Sequence, residues 1–552
     1  MLDSLVPKTV SVLQEGYGLA RLKADALAGL TVAIVALPLS MAIAIASGVT
    51  PDRGLYTAIV GGFLVSLFGG SRVQIGGPAG AFIVLVAATG ARHGIDGLLL
   101  ATAMAGVMLV AAGYLHLGQY IKFIPYPVTV GFTAGIAVII FASQLRDLFG
   151  LTLAGGEPGP MVEKIVALGR SADTVNWAAA LTAVLTIGVI LGLRRLRPHW
   201  PGMLIAVAVA SVLVAILNLP TETIGTRFGG IPRGLPFPTL PPLSFEKAVA
   251  VFPDAVSFAL LGAIESLLSA VVADGMTGRR HRSSMELIAQ GIANLCSALF
   301  GGICVTGTIA RTATNVRAGG TSPISGMLHS VFLLLFMLLA APLASYVPLA
   351  SLAGVLAIVA WNMIEKPAFL ALLRSSYGDA VVLLATFFIV VFRDLTEGIV
   401  VGVALGAILF INRMAKNISV GETKPLEMLR VENGKEEHPV IADDPDTVIY
   451  RISGIFFFGS AATVATVLDR INDQRRNFVL DCSEVPFMDS TAANVIEGTL
   501  NKAERIGVRF VIVGANTQVR RALYQHHVRP PRVVMRASIP AALETIRSEE
   551  SA

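Results

Sequence analysis

Residues 26–411 are almost continuously apolar, broken only by short clusters of Gly, Pro and charged side chains. About twenty apolar residues let a helix cross the hydrocarbon core of a bilayer. Lipid offers the backbone no hydrogen-bond partners, so such runs must satisfy themselves as helices. About fourteen spans are predicted on this basis, with the length rule relaxed for short runs. They lie near 26–47, 54–69, 78–91, 97–116, 125–145, 176–193, 202–217, 253–274, 285–300, 307–317, 324–345, 348–363, 379–393 and 396–412.

Composition agrees with a membrane chain. Only 14% of residues are charged and 54% are hydrophobic, against about 25% charged in soluble domains. Residues 1–18 are polar and mixed, without a secretory signal pattern. The net charge of +5 does not indicate nucleic acid, because the basic residues sit in short loops between spans. Arg21 and Lys23 precede span one. Arg194, Arg195 and Arg197 follow span six, Arg279, Arg280 and Arg282 span eight, and Arg317 span ten. Lys366 and Arg374 follow span twelve, and Arg413 and Lys416 span fourteen. With fourteen spans all of these share one side, the cytoplasm by the positive-inside bias. Both termini then lie there, and the Pro- and Gly-rich loop 218–248 lies opposite. Cys296, Cys304 and Cys482 show no ligand spacing, so no metal, cofactor or disulfide framework is expected.

Two features point to a transport site. Residues 255–275 hold Glu265 in the middle of a membrane-length apolar run. A carboxylate at that depth costs a few kcal/mol on insertion scales and persists where it faces a bundle interior or a wet cavity. Glu265 is read as carrying a proton or coordinating sodium; the alternative is a satisfied packing carboxylate. The second feature is a pair of short spans, three and ten, each preceded by a glycine-rich segment (69–78 and 301–302). They hold the third place in each set of seven. An odd set inverts its copy, and paired broken helices are the sequence pointer to an inverted-repeat transporter site.

Pro78 is expected to open span three, with Gly76 and Gly77 letting the backbone approach a ligand. Span ten is expected to begin near Thr306 or Gly307, with Thr308 in its first turn. Two helix starts facing each other would offer free N–H groups and partial positive charge to an anion. Arg311, a turn further in, would complement a divalent or carboxylate ligand, or pair structurally with an acid such as Glu265. His93, His116, His199 and His329 form no cluster and read as structural or surface residues. Arg393, Asp394 and Glu397 read as a solvated hairpin, and Asp254 and Asp274 as span ends touching water.

The predicted domains are an N-terminal segment (1–25), a transmembrane domain (26–414), a polar linker (415–445) and an α/β domain (446–552). In the last, strands are predicted at 447–452, 478–482 and 509–513, and helices at 460–472, 490–505, 517–526 and 541–547. Ser490 stands at a strand-to-helix junction, either as a helix cap or as a phosphorylation or recognition switch.

These residues resemble the SulP family of anion transporters over nearly the whole chain. The resemblance rests on Leu37-Pro38-Leu39-Ser40-Met41-Ala42, Pro51-Asp52-Arg53-Gly54-Leu55-Tyr56, Gly76-Gly77-Pro78, Arg311-Thr312 and Asn315-Val316-Arg317-Ala318-Gly319. The tail is similar to a STAS domain, with Asp489-Ser490-Thr491 at its Asp-Ser-Ser/Thr motif. The resemblance implies a polytopic helical membrane protein with a seven-plus-seven inverted repeat, a homodimer and an elevator-like cycle. It implies an anion between the starts of spans three and ten, touching Gly76, Gly77, Pro78, Ala79, Thr308, Ala310 and Arg311, with Glu265 for ion coupling. The expected function is proton- or sodium-coupled uptake of sulfate or a C4-dicarboxylate such as succinate. The alternatives are a bicarbonate symporter, a passive anion channel, or an anion sensor signalling through the STAS domain. A bacterial inner-membrane location and a cytoplasmic protein partner for the STAS domain are expected. No enzyme is expected, since no nucleophile–base pair, metal cluster or phosphate loop appears.

Overall fold

The computed structural model describes residues 5–153, 158, 160–197, 200–242, 244–393, 395–422, 446–468 and 476–550. His199, Asp394, the end of the predicted helix 460–472 and most of the predicted linker (423–445) lie outside the described residues. The chain divides into two compact units, Met1–Ala404 and Leu405–Ala552.

The first unit is helical. Among the described residues, eight helices are long and apolar enough to cross a membrane, including Leu19–Ala46, Tyr126–Phe149, Phe245–Thr277 and Pro323–Ala344. The remaining predicted spans are shorter helices. Gly202–Leu217 is apolar but for Ser211, and Tyr377–Phe392 is apolar after Asp379 in its first turn but for Thr386, whereas Ser283–Leu299 carries buried Glu286, Gln290 and Asn294. Spans three and four run on as one helix, Ile83–Tyr114, bent at Gly94, whose φ of 67° suits a residue without a Cβ. Span two is interrupted by a π-helical turn, Thr57–Gly61, between Pro51–Tyr56 and Gly62–Phe68. Such turns are rare and occur often at functional sites.

The broken helices meet. Gly76–Gly77 (β1) pairs antiparallel with Thr306–Gly307 (β2), Gly76 opposite Gly307 and Gly77 opposite Thr306. Phe82, just beyond β1, packs edge-on against Phe258 of span eight with ring centroids 6.0 Å apart.

The second unit holds a five-stranded sheet in chain order: Ser419–Glu422 (β3), Thr447–Ser453 (β4), Asn477–Glu484 (β5), Arg509–Val513 (β6) and Val534–Arg536 (β7). β3 runs antiparallel to β4 and the other neighbours are parallel. Helices Phe458–Leu468, Ser490–Ile506, Thr517–Gln525 and Ile539–Glu550 complete it. The two-residue period of a strand sorts side chains between two faces. Ile452, Phe478, Leu480, Phe510 and Ile512 pack on one side, and Ile449, Val479, Val511 and Val513 meet Ala542, Leu543 and Ile546 on the other. The linker expectation needs correction at 419–422. Ser-Val-Gly-Glu has no apolar run to mark it, yet its backbone pairs with residues 450–453 as the edge strand.

Candidate anion site

The site is built from the residues that hold β1 and β2. Ahead of β2, Ile303 N donates to Thr57 Oγ1 at 2.7 Å, a hydroxyl supplied by the π turn of span two. Asn294 of span nine treats Val305 as a strand neighbour: its Oδ1 accepts from Val305 N at 3.0 Å and its Nδ2 donates to Val305 O at 2.8 Å. Ser266 of span eight lies 2.6 Å from Thr306 Oγ1, and its Oγ accepts from Gly307 N at 3.2 Å. Gln74 Nε2 donates to Ser266 O at 3.1 Å, tying the β1 connector to the same helix.

Span ten reaches back to β1. Thr308 donates to Ile75 O from its backbone N at 3.0 Å and its hydroxyl at 3.2 Å, and Thr312 Oγ1 accepts from Ile75 N at 3.1 Å. These bonds hold residues 306–308 extended, so the helix is Ile309–Arg317 with Thr308 as its N-cap. Span ten therefore begins two to three residues later than predicted. Likewise Pro78 does not open a helix. It stays extended, Ala79 precedes a 3-10 turn at Gly80–Phe82, and the α-helix follows from Ile83.

Arg311 is buried at 2% exposure. Its Nη2 donates to Ser40 Oγ of span one at 3.1 Å and to Pro78 O at 3.3 Å, while Nε and Nη1 have no partner among the described residues. A buried donor without a partner costs about 1–3 kcal/mol. Gly77 makes the approach feasible, because a Cβ there would lie 2.1 Å from Arg311 Nη1. Among the described residues, Gln74 Oε1 and Asn315 Oδ1 are also buried without partners.

The predicted residues thus come together unevenly. Gly76, Gly77, Pro78, Ala79, Thr308 and Arg311 are buried around the paired strands, and Ala310 is exposed in the first turn of span ten. Glu265 is 7% exposed, immediately before Ser266. Among the described residues it has no hydrogen bond or ion pair, and the alternative pairing with Arg311 is not formed. Sequence reasoning missed Ser40, Thr57, Gln74, Ser266, Asn294 and Thr312. Their signal was a polar side chain inside an apolar span, which does not tell a structural hydroxyl from a ligand-binding one.

Other expectations change with burial. Asp254 is buried rather than at an open span end. It is 6% exposed and accepts from Arg92 at 2.7 Å and Thr89 at 3.1 Å, with His93 at 3.3 Å. Helix Phe245–Thr277 starts a full two turns before the predicted span, which carries Asp254 inside. His329 is wholly buried, the structural one of its two expected places. Asp274 accepts from His281 at 2.7 Å. Helix Ser490–Ile506 is capped by Asp489, whose Oδ1 accepts from Ala492 N at 2.8 Å and Oδ2 from Phe458 N at 2.9 Å. Ser490 is therefore not the cap; it is exposed in the first turn. The cysteines are free. Burial, then Asp481, pushes the Cys482 thiol up to about 12, so it remains a packed thiol.

Known proteins resemble this chain over most of its length. Residues 22–386 match the sulfate permease family and residues 438–531 the STAS domain. A Bacillus subtilis (strain 168) protein named "Putative sulfate transporter YvdB" is 43% identical over 519 residues, covering 93% of this chain and 95% of that protein. The bicarbonate transporter BicA of Synechocystis sp. is 31% identical over 517 residues, covering 91% of this chain and 90% of its own. The transmembrane domain of a cyanobacterial BicA superposes with a TM-score of 0.61 at 31% identity, over 71% of this chain and 98% of that one. The murine Solute Carrier 26 family member A9 anion transporter has the same fold, with a TM-score of 0.86 at 19% identity over 99% of this chain and 94% of that one. The chain belongs to the sulfate permease family: it is a multi-pass membrane anion transporter that carries a STAS domain.

Proposed function

We propose that this protein is a secondary active transporter that couples uptake of a dianion, sulfate or a C4-dicarboxylate such as succinate, to a proton or sodium gradient. The observation that carries this reading is Arg311, buried with Nε and Nη1 unpartnered beside the paired β1 and β2. A guanidinium fork matches two oxygens of a sulfate or carboxylate. The start of span ten adds N–H groups and the positive end of a helix dipole, and Ala310 leaves its first turn open. In this reading Gly76, Gly77, Pro78, Ala79, Thr308 and Ala310 shape the site and Arg311 holds the charge.

Glu265 carries the coupling ion. It lies beside Ser266, which bonds to both Thr306 and Gly307, so occupancy at Glu265 is felt one residue from the strands that frame the anion. The membrane is the bacterial inner membrane, with both termini and the STAS domain cytoplasmic and two copies forming a homodimer. Ser490 regulates. It is exposed at a helix start where a phosphate is stabilised, flanked by exposed Phe458 and Phe487, which offer a protein partner an apolar footing.

A second reading is bicarbonate symport, favoured by the 31% identity to BicA over most of both chains. Uptake into proteoliposomes decides between them, using radiolabelled sulfate, succinate and bicarbonate with and without imposed proton and sodium gradients. Sulfate or succinate accumulation driven by a gradient supports the lead reading. Accumulation of bicarbonate alone replaces it with the second. Flux that never exceeds equilibrium would overturn both in favour of a channel.

A further inference from the structure

The N-terminal segment is bonded to the connector that leads into β1 and to the turn that leaves span ten. Lys8 N donates to Gly69 O at 2.9 Å and Thr9 Oγ1 to Leu67 O at 2.8 Å, carbonyls at the end of span two that no helix partner can reach. Arg282, ahead of span nine, donates from Nη1 to Val6 O at 2.8 Å and Ser11 Oγ at 2.9 Å, and from its backbone N to Gly70 O at 2.9 Å. Glu15 accepts from Arg72 Nη1 at 2.7 Å. Residues 6–15 thus grip residues 67–72, which run directly into β1.

The other end of the segment grips the exit of span ten. Asp25 is completely buried. It accepts from Tyr17 Oη at 2.7 Å, Thr321 N at 2.6 Å, Thr321 Oγ1 at 3.2 Å, Ser322 N at 3.3 Å and Ser322 Oγ. All five donors are neutral. A buried carboxylate is tolerated when hydrogen bonds fill its lone pairs, and here most of the donors belong to the turn that leaves span ten. Asn315 Nδ2, in the helix of span ten itself, donates to Val73 O at 2.8 Å and ties that helix directly to the β1 connector.

We propose that residues 6–25 form a clasp fixing β1 and the start of span ten at one separation, with Asp25 and Tyr17 as positioning residues for the anion site. The inference rests on the reading that the anion lies between those elements. The physical reason is that Arg311 reaches Pro78 O across the strand pair at 3.3 Å. A displacement of one connector against the other by about 1 Å would break that bond and misplace the fork.

The test is initial-rate uptake in proteoliposomes over a range of concentrations, with whichever of sulfate, succinate and bicarbonate the wild type takes up. Asp25→Asn keeps the side-chain shape but turns one acceptor into a donor facing donors. It should raise the half-saturating concentration about three- to thirtyfold, with a smaller change in maximal rate per folded transporter. Tyr17→Phe removes one donor and should shift it less, in the same direction; it serves alone if Asp25→Asn does not fold. Glu15→Cys with Arg72→Cys, joined by a bismaleimide in a background lacking the three native cysteines, should still transport, because the clasp and β1 move as one piece. Unchanged half-saturation in both single variants, or a block of uptake on cross-linking, would overturn the clasp. Arg311→Ala runs alongside. If it too leaves half-saturation unchanged, the site reading fails and the clasp inference falls with it. If only Arg311→Ala raises half-saturation, the clasp alone fails.

Discussion

In the second unit, buried Asp481 and half-buried Asp489 are both engaged. Asp481 accepts from Arg451 Nε and Ser483 N, and Asp489 caps one helix while accepting from Phe458 N. In the first unit the same holds for Asp25, for Asp254 and for Glu286, which accepts from Gly70 N, Ser71 N and Gln290. Arg311 and Glu265 differ from all of these: one keeps unpartnered donors and the other has no described partner. Buried polar groups that finish a fold are mostly hydrogen-bonded, so Arg311 and Glu265, charged members of a set of unpartnered buried groups that also includes Gln74 Oε1 and Asn315 Oδ1, are the ones whose substitution tests the proposed site.

The largest effect that could break this contrast is expected at Arg311. Arg311→Ala should weaken anion binding by about 1–3 kcal/mol, about 5- to 150-fold, read by calorimetry on the purified protein. Arg311→Lys should not restore it, since a point charge lacks the fork. Equal affinity in wild type and Arg311→Ala would make the arginine structural, like Arg451.

Next comes Glu265→Gln, which should abolish accumulation driven by a proton or sodium gradient while anion binding persists. Gradient-driven accumulation at the wild-type level would return Glu265 to the class of packing carboxylates.

A smaller effect sharpens the comparison from the backbone side. Gly77→Ala places a Cβ where Arg311 Nη1 now sits. The guanidinium must shift, which should cost about 1–3 kcal/mol and weaken binding less than Arg311→Ala. A binding isotherm that matches the wild type would show that the fork does not need its present position.

The smallest effect is expected from the second unit. Its removal should leave anion binding intact, because β1, β2 and Arg311 all precede it. The cut belongs before β3, at Lys416, since a truncation at 446 strands an unpaired edge strand. Uptake rate should change, and Ser490→Glu should change it in the intact chain by adding charge to an exposed helix start. If binding itself disappears, the second unit is part of the site's framework. If neither change alters the rate, Ser490 has no switching role.

Much of the fold is legible in the amino-acid sequence. Apolar runs set the helices because a backbone in lipid has no other way to satisfy itself. Glu265 and Arg311 stand out because charge in such a run is costly, and glycine next to a short span marks the broken helices. In the second unit β6 is predicted residue for residue, since an apolar strand between turn residues carries its own signal.

Sequence by itself therefore determined most of the long helices, three of the strands, the membrane class and the charged candidates, all of which depend on local composition. Tertiary structure decided which polar residues are engaged. Nothing in the sequence tells that Asp254 meets Arg92 and His93, that Asn294 pairs with Val305, or that Asp25 closes on Thr321 across nearly three hundred residues. It also decided where the broken helices begin, because the pairing of residues 76–77 with 306–307 draws those positions into extended backbone. A hydrogen bond depends on where two distant groups meet in space, and only the folded chain sets that separation.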